Sequence, residues 1–151
     1  MPAPDDPQTV ARLSADVMWA DDNASRGLGM ELLEVGPGRA RVAMTVTATM
    51  VNGHGICHGG FIFTLADSAF AFACNSYGQR SVAQNCFVTF IAPARRGMRL
   101  IADAVERHRG ERNGLYDMTV RDDTGALIAE VRGHSRTLPG SLLGNEGGST
   151  R

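Results

Sequence analysis

One acidic residue stands inside a stretch that is otherwise apolar or glycine-rich. The loop 52–60 reads Asn-Gly-His-Gly-Ile-Cys-His-Gly-Gly, and the apolar segment 61–73, which contains Asp67, follows without a break. An ionised carboxylate is costly to bury among Phe, Leu and Ala unless a partner or a task keeps it there. We predict that a helix begins at Gly59, so that its first backbone N–H groups have no intrahelical acceptor. A carboxylate and free amide donors together suggest acid/base chemistry at a carbonyl group.

Small or polar residues recur at spacings of three and four along this predicted helix and form one stripe that includes Asp67. The other members of the stripe are Gly60, Thr64, Ser68, Ala71 and Asn75. Gly60, Thr64 and Ser68 are therefore candidate substrate-binding positions. The alternative is that small residues only permit close packing and that Asp67 hydrogen-bonds Thr64 or Ser68.

The loop also raises two other kinds of chemistry. His54 and His58 lie four residues apart, but glycines interrupt the segment and the glutamate of a zinc HExxH motif is missing, so we predict no metal. Cys57 beside His58 would suit a thiol nucleophile at a helix start. That alternative has no identifiable third partner, and it would leave Asp67 without a task.

Composition favours a single soluble domain. The chain has 151 residues, 43% hydrophobic and 21% charged, which is ordinary for a globular protein. A formal net charge of −1 gives no general attraction to nucleic acid. The longest apolar run is too short to span a bilayer and contains Asp67, so no membrane partner is expected. Three unpaired cysteines and the absence of a signal-peptide pattern predict a cytoplasmic protein.

Hydrophobic periodicity predicts one domain over residues 1–137, with six strands and two helices, one over 7–20 and one beginning at Gly59. The predicted strands are 28–35, 39–47, 81–90, 98–107, 115–121 and 126–137. Short turns predict successive antiparallel hairpins, and residues 138–151 lack periodicity and predict a disordered tail. The fold class is α+β, with a sheet of five to six strands curved around the long central helix.

The predicted helix geometry separates the two reactive groups. Asp67 lies eight residues after Gly59, or ~12 Å along the helix axis. A base and an amide that act on one carbonyl must both lie within ~3–4 Å of the same group. One chain therefore cannot supply both, and we predict an obligate homodimer in which a two-fold axis brings Gly59 of one chain to Asp67 of the other.

Four short motifs can be compared with known families. They are Asn52-Gly53, His58-Gly59-Gly60, Leu65-Ala66-Asp67 and the later Phe90-Ile-Ala-Pro-Ala94. In these motifs the chain resembles the hotdog-fold acyl-CoA thioesterases, and within them the phenylacetate-degradation (PaaI) type. The resemblance covers about residues 28–136. It implies a hotdog fold, dimers that pair into a homotetramer, and hydrolysis of phenylacetyl-CoA or its ring-hydroxylated relatives.

The resemblance also implies a role for each matched residue. Asp67 takes the position of the catalytic carboxylate, acting as general base on water or as nucleophile. The Gly59 N–H would polarise the thioester carbonyl, Asn52 would hold the water or the thioester, and His58 would support the loop. Asn85 matches a position where relatives keep a polar residue that positions water.

No cofactor is implied, because coenzyme A is part of the substrate. Cations for its phosphates could come from Arg95, Arg96, Arg99, Arg107 or Arg109. Two alternatives remain: the same fold hosts acyl-thioester dehydratases and hydratases, and a non-catalytic acyl-CoA-binding protein would share the features.

Overall fold

The computed structural model describes residues 5–144, which contain three α-helices, a short 3₁₀ helix over Ala48–Met50 and six strands. The helices are α1 Pro7–Asp21, α2 Asn23–Gly27 and α3 Gly59–Cys74. The strands are β1 Glu31–Gly36, β2 Arg39–Thr45, β3 Gln79–Phe90, β4 Arg99–Arg109, β5 Asn113–Asp122 and β6 Leu127–Ser141. One long helix on one antiparallel sheet confirms the predicted α+β class. Within the described range, no helix is both long enough and apolar enough to cross a bilayer.

The N-terminal helices begin at acidic caps. The Asp6 carboxylate accepts the Thr9 N–H at 2.9 Å and starts α1, which spans the predicted first helix. The Asp22 carboxylate accepts the Ser25 N–H at 2.9 Å and starts α2, which the sequence analysis did not predict. Because α2 extends to Gly27, the first strand begins at Glu31 and not at the predicted Leu28.

The sheet has the order β1-β2-β4-β5-β6-β3, and every pairing is antiparallel. The prediction of successive hairpins is wrong at one place, because β3 pairs with β6 and not with β4. The connection after β3 is held next to the end of β2, where Val46 N–H donates to Met98 O at 2.9 Å and Gly97 N–H donates to Val46 O at 2.8 Å. This connection carries the chain from β3, at one edge, to β4 beside β2.

The core lies between α3 and one face of the sheet. Leu65, Ala66, Ala69 and Phe70 of α3 are fully buried, as are the side chains of the central strands that face them. Gly133 of β6 allows α3 to approach closely, since a Cβ there would lie 2.6 Å from the Phe70 ring. This packing places α3 on the sheet, and with it Gly59 at the start of the helix and Asp67 two turns later.

The last strand is longer than predicted. It continues to Ser141, which pairs with Gln79 of β3, and Leu142 N–H then donates to Gly78 O at 2.8 Å. The predicted tail over residues 138–151 is therefore wrong for its first residues, because β3 provides a backbone partner for them. Residues 145–151 of the predicted tail lie outside the described residues.

Candidate active site

His58 caps the start of α3 and leaves one amide free. Its Nδ1 accepts the Gly60 N–H at 2.9 Å, and its carbonyl accepts the Phe61 N–H at 3.0 Å. Because Nδ1 is an acceptor here, the neutral ring carries its proton on Nε2. Among residues 5–144, no group accepts the Gly59 N–H. The first amide of the helix is thus available to an external acceptor, which is what an oxyanion donor requires.

Asn52 organises the preceding loop. Its Oδ1 accepts the His54 N–H at 2.9 Å and the Ile56 N–H at 3.3 Å, and its own N–H donates to Ile56 O at 2.8 Å. Gly55 completes this turn at a φ of 79°, which suits a residue without a Cβ. The Asn52 Nδ2 group has no acceptor among the described residues and can donate to a ligand.

Gly59 and Asn52 line the same cleft, which has a volume of about 520 Å³. The rest of its lining is mostly apolar. It consists of Ile56, Cys57, Ile62, Phe90, Ile91, Ala92 and Pro93. The backbone of this wall is anchored to the loop, because the Cys57 N–H donates to Ala94 O at 2.8 Å. The structure therefore brings together two of the predicted site residues in a cleft of the size that binds small molecules.

Asp67 lies two turns further along α3, half-buried and unpaired. Burial raises the pKa of its carboxyl, and no group among residues 5–144 donates a hydrogen bond to it. The Thr64 hydroxyl donates to Gly60 O at 2.8 Å, and the Ser68 hydroxyl pairs with that of Ser25 at 2.7 Å. The alternative in which Asp67 hydrogen-bonds Thr64 or Ser68 is therefore wrong. A carboxylate with a raised pKa and no internal partner is suited to accept a proton.

The thiol alternative is not supported by the surroundings of Cys57. Burial raises the pKa of this thiol, whose Sγ donates to the His58 carbonyl at 3.5 Å. A reactive cysteine needs the opposite shift. Within the described residues, no group of three or more His, Cys, Asp or Glu side chains is arranged to hold a metal ion.

Asn85 does not lie with the other predicted site residues. Its Oδ1 lies 2.8 Å from Nδ1 of His134, on the face of the sheet that points away from α3. The inward-facing position is Cys86, which pairs with Gly133. Burial and then the negative charge of Asp67 raise the pKa of Cys86. Sequence reasoning missed Cys86 as a neighbour of the carboxylate.

Three of the five candidate arginines are already engaged. They are Arg99 on Glu31, Arg107 on Asp117 and Arg109 over the ring of Tyr77. Arg95 and Arg96 are exposed on the turn that follows the cleft wall, and no carboxylate within residues 5–144 forms an ion pair with them. These two remain available to an anionic ligand.

Comparison with known proteins gives consistent matches. The model of the thioesterase superfamily matches residues 54–129. The acyl-coenzyme A thioesterase PaaI of Escherichia coli K12 is 41% identical over 131 residues, which is 87% of this chain and 94% of that protein. Human acyl-coenzyme A thioesterase 13 is 30% identical, over 77% of this chain and 85% of its own length.

Two solved structures show the same fold. The E. coli PaaI protein from the phenylacetic acid degradation operon aligns with a TM-score of 0.89 and 40% identity, covering 90% of this chain and 99% of that one. A mutant of the phenylacetic acid degradation protein PaaI of Thermus thermophilus aligns with a TM-score of 0.73 and 38% identity, over 76% and 97% of the two chains. The region matched by the superfamily model includes most of the loop, all of α3 and the strands β3, β4 and β5.

Proposed function

The chain belongs to the thioesterase superfamily and has its hotdog fold, and from that premise we propose that it hydrolyses phenylacetyl-CoA or a ring-hydroxylated phenylacetyl-CoA. The single observation that supports the mechanism is that two groups on α3 have no hydrogen-bond partner. Among the described residues, the Gly59 N–H has no acceptor and the half-buried Asp67 carboxylate has no donor. A thioester carbonyl can accept the free N–H, and the water that attacks it can donate to the free carboxylate.

In the proposed reaction, the thioester carbonyl accepts the Gly59 N–H while Asp67 acts on its carbon. With Asp67 as general base, water adds to the carbonyl carbon and its proton passes to the carboxylate. The tetrahedral intermediate then expels the coenzyme A thiolate, which takes that proton. Direct attack by Asp67 would instead break the C–S bond, expel the coenzyme A thiolate and give a mixed anhydride, which water hydrolyses to the free acid and the Asp67 carboxylate while the thiolate takes a proton from that water. One oxyanion donor contributes about 10²–10³-fold in rate, and a positioned base about 10²–10⁴-fold.

The remaining roles are supported by the contacts at the helix start. His58 holds Gly60 and so fixes the direction of the neighbouring Gly59 N–H. Asn52 offers its free Nδ2 group to the thioester or to the attacking water. We keep Gly60 and Thr64, which lie between Gly59 and Asp67 on α3, as residues beside the substrate. We withdraw Ser68, because it is buried with its hydroxyl paired to that of Ser25. We also withdraw Asn85 as a water-positioning residue, because its side chain lies on the outer face.

The site is completed by a second protomer in this proposal. Gly59 and Asp67 belong to one continuous helix, ~12 Å apart along its axis. The free edge of β3 is long and carries exposed apolar side chains, which is typical of a strand that pairs with another chain. The apolar side chains at this edge are Val82 and Phe90, followed by Ile91. Pairing of two β3 edges would form a homodimer with two shared sites, and two such dimers would form the homotetramer that the resemblance implies.

The experiment that tests the function is thiol release from a panel of acyl-CoAs. We expect multiple turnovers with phenylacetyl-CoA, and a loss of at least 10²-fold for Asp67→Asn. Asp123→Asn, an exposed acid on the turn after β5, is the matched control and should keep full activity. Hydration of an enoyl-CoA without thiol release would instead favour a hydratase, and binding without turnover would favour an acyl-CoA-binding protein.

A further inference from the structure

Phe90 lies directly against the proposed oxyanion amide. It is the last residue of β3, and it is 53% exposed although it is a large aromatic residue. A Cβ placed on Gly59 would lie 2.8 Å from Cζ of Phe90 and 3.1 Å from its Cε1. The ring therefore packs on the α-carbon of Gly59, and an acyl group whose carbonyl accepts the Gly59 N–H lies close to it.

We propose that Phe90 is a specificity-determining residue, whose ring forms one wall of the acyl pocket and favours an aryl acyl group over a straight chain of equal carbon number. This inference rests on the proposed thioesterase function. It assigns the cleft beside Gly59 to the acyl group of the substrate and not to the coenzyme A arm.

The lining of the cleft supports that assignment. Apart from Asn52 and the Cys57 thiol, its side chains are aliphatic or aromatic. The pantetheine arm contains two amide groups, and burying them against such a lining would leave their donors and acceptors unsatisfied. A phenyl ring needs no hydrogen-bond partner, and a cleft of about 520 Å³ has room for it.

The preference for an aryl group follows from ring geometry. Aromatic rings in offset or edge-to-face contact gain free energy beyond their buried area, equivalent to about a two- to twelvefold change in an equilibrium. Phe90→Leu keeps an apolar wall but removes the ring, so it should affect phenylacetyl-CoA more than octanoyl-CoA. Both acyl groups contain eight carbon atoms, so the comparison isolates the ring.

The chain offers a matched control on the same strand. Phe87 is 73% exposed and faces away from α3, opposite Arg132 of β6. Phe87→Leu makes the same chemical change outside the cleft. Phe90→Tyr keeps an aromatic ring at the cleft and serves as the conservative variant.

The test is the ratio of kcat/KM for phenylacetyl-CoA to that for octanoyl-CoA. We expect the ratio to fall about two- to twelvefold in Phe90→Leu and to stay at the wild-type value in Phe87→Leu and Phe90→Tyr. An unchanged ratio in Phe90→Leu, or a ratio that falls equally in Phe90→Tyr, would overturn the inference. Equal losses for both substrates would place the shared coenzyme A arm in the cleft and would overturn it too.

Failure of the proposed function is distinguishable from failure of this inference. If the wild-type protein releases no thiol, the thioesterase proposal fails. In that case calorimetry gives the dissociation constants of phenylacetyl-CoA and octanoyl-CoA, and their ratio replaces the ratio of kcat/KM values. A selective loss of phenylacetyl-CoA affinity in Phe90→Leu would still support the aryl wall, and an unselective effect would overturn it.

Discussion

Replacing Asp67 with Asn should abolish most turnover and at the same time stabilise the protein at neutral pH. Asn has nearly the same volume as Asp, and no hydrogen bond is lost, because residues 5–144 provide none to this carboxylate. The substitution therefore removes a base and a charge and little else. Most inactivating substitutions destabilise the fold, so the opposite sign would identify the carboxylate as a group kept for function.

The expected size of the rate effect follows from the role. A positioned general base contributes about 10²–10⁴-fold, which corresponds to about 2.7–5.5 kcal/mol of transition-state stabilisation. The sign of the stability effect follows from burial, which raises the pKa of Asp67 in the folded protein above the ordinary value of 3.8. The folded state then binds more protons than the unfolded state as the pH rises above 3.8, so Asp67 lowers stability through that window and remains a cost at pH 7.

Thiol release and thermal unfolding measure the two effects on the same samples. At pH 7 the Asp67→Asn variant should melt at a higher temperature than the wild type, and the difference should shrink as the pH is lowered towards about 4, near the ordinary carboxyl pKa. Asp123→Asn is the control for loss of one exposed acid. Near-wild-type turnover in Asp67→Asn would reject the catalytic role, and a lower melting temperature at pH 7 would refute the reasoning about the unpaired buried charge.

Two further substitutions test how the site is supported. His58→Ala removes the acceptor for the Gly60 N–H and should cost about 0.5–2 kcal/mol of stability together with much of kcat. His58→Asn can still cap the helix and should retain most of the stability in denaturant titration. Unchanged stability in His58→Ala would contradict the capping role. Gly133→Ala places a methyl group 2.6 Å from the Phe70 ring and should destabilise by about 1–3 kcal/mol. Gly133→Ala should cost less stability in a Phe70→Leu background than in the wild-type chain. If the stability effects of the two substitutions are strictly additive, the contact between these two positions is contradicted.

Local features of the fold and site were predictable because local chemistry determines them. The start of α3 at Gly59 follows from the residues around it. Apolar alternation and turn residues together predict six strands, although the start of the first strand and the end of the last strand were wrong. The unpaired state of Asp67 could also be anticipated, because a carboxylate is a costly choice where Asn or Ser would satisfy the same neighbours. The position of β3 beside β6 was not predictable, since pairing across some 50 residues depends on the whole sheet.

Asn85 shows why one site assignment failed. The pairing of β3 with β6 shifts between Ala83 and Asn85, so that β3 contains one extra residue, Gln84, at this point. In regular pairing Asn85 would lie opposite Gly133 and face α3. The bulge moves it opposite His134, on the outer face, and turns Cys86 inward. One inserted residue reverses the facing of the following residues, and the sequence here carries no glycine or proline that would indicate it.

The central claim is that Gly59 of one protomer and Asp67 of its partner act on the same thioester. Gly59→Pro removes the N–H, and proline is compatible with the first helical position after His58, whose φ is −59° and ψ is 133°. Gly59→Ala adds the same Cβ next to Phe90 but keeps the N–H, so it controls for crowding.

The most direct measurement mixes Asp67→Asn and Gly59→Pro subunits, each inactive alone, in equal amounts with exchange verified by native mass spectrometry. Half of the dimers are then mixed, and each mixed dimer contains one site with both groups intact. The account predicts recovery to about one quarter of wild-type thiol release. Complete exchange without recovered activity would contradict it.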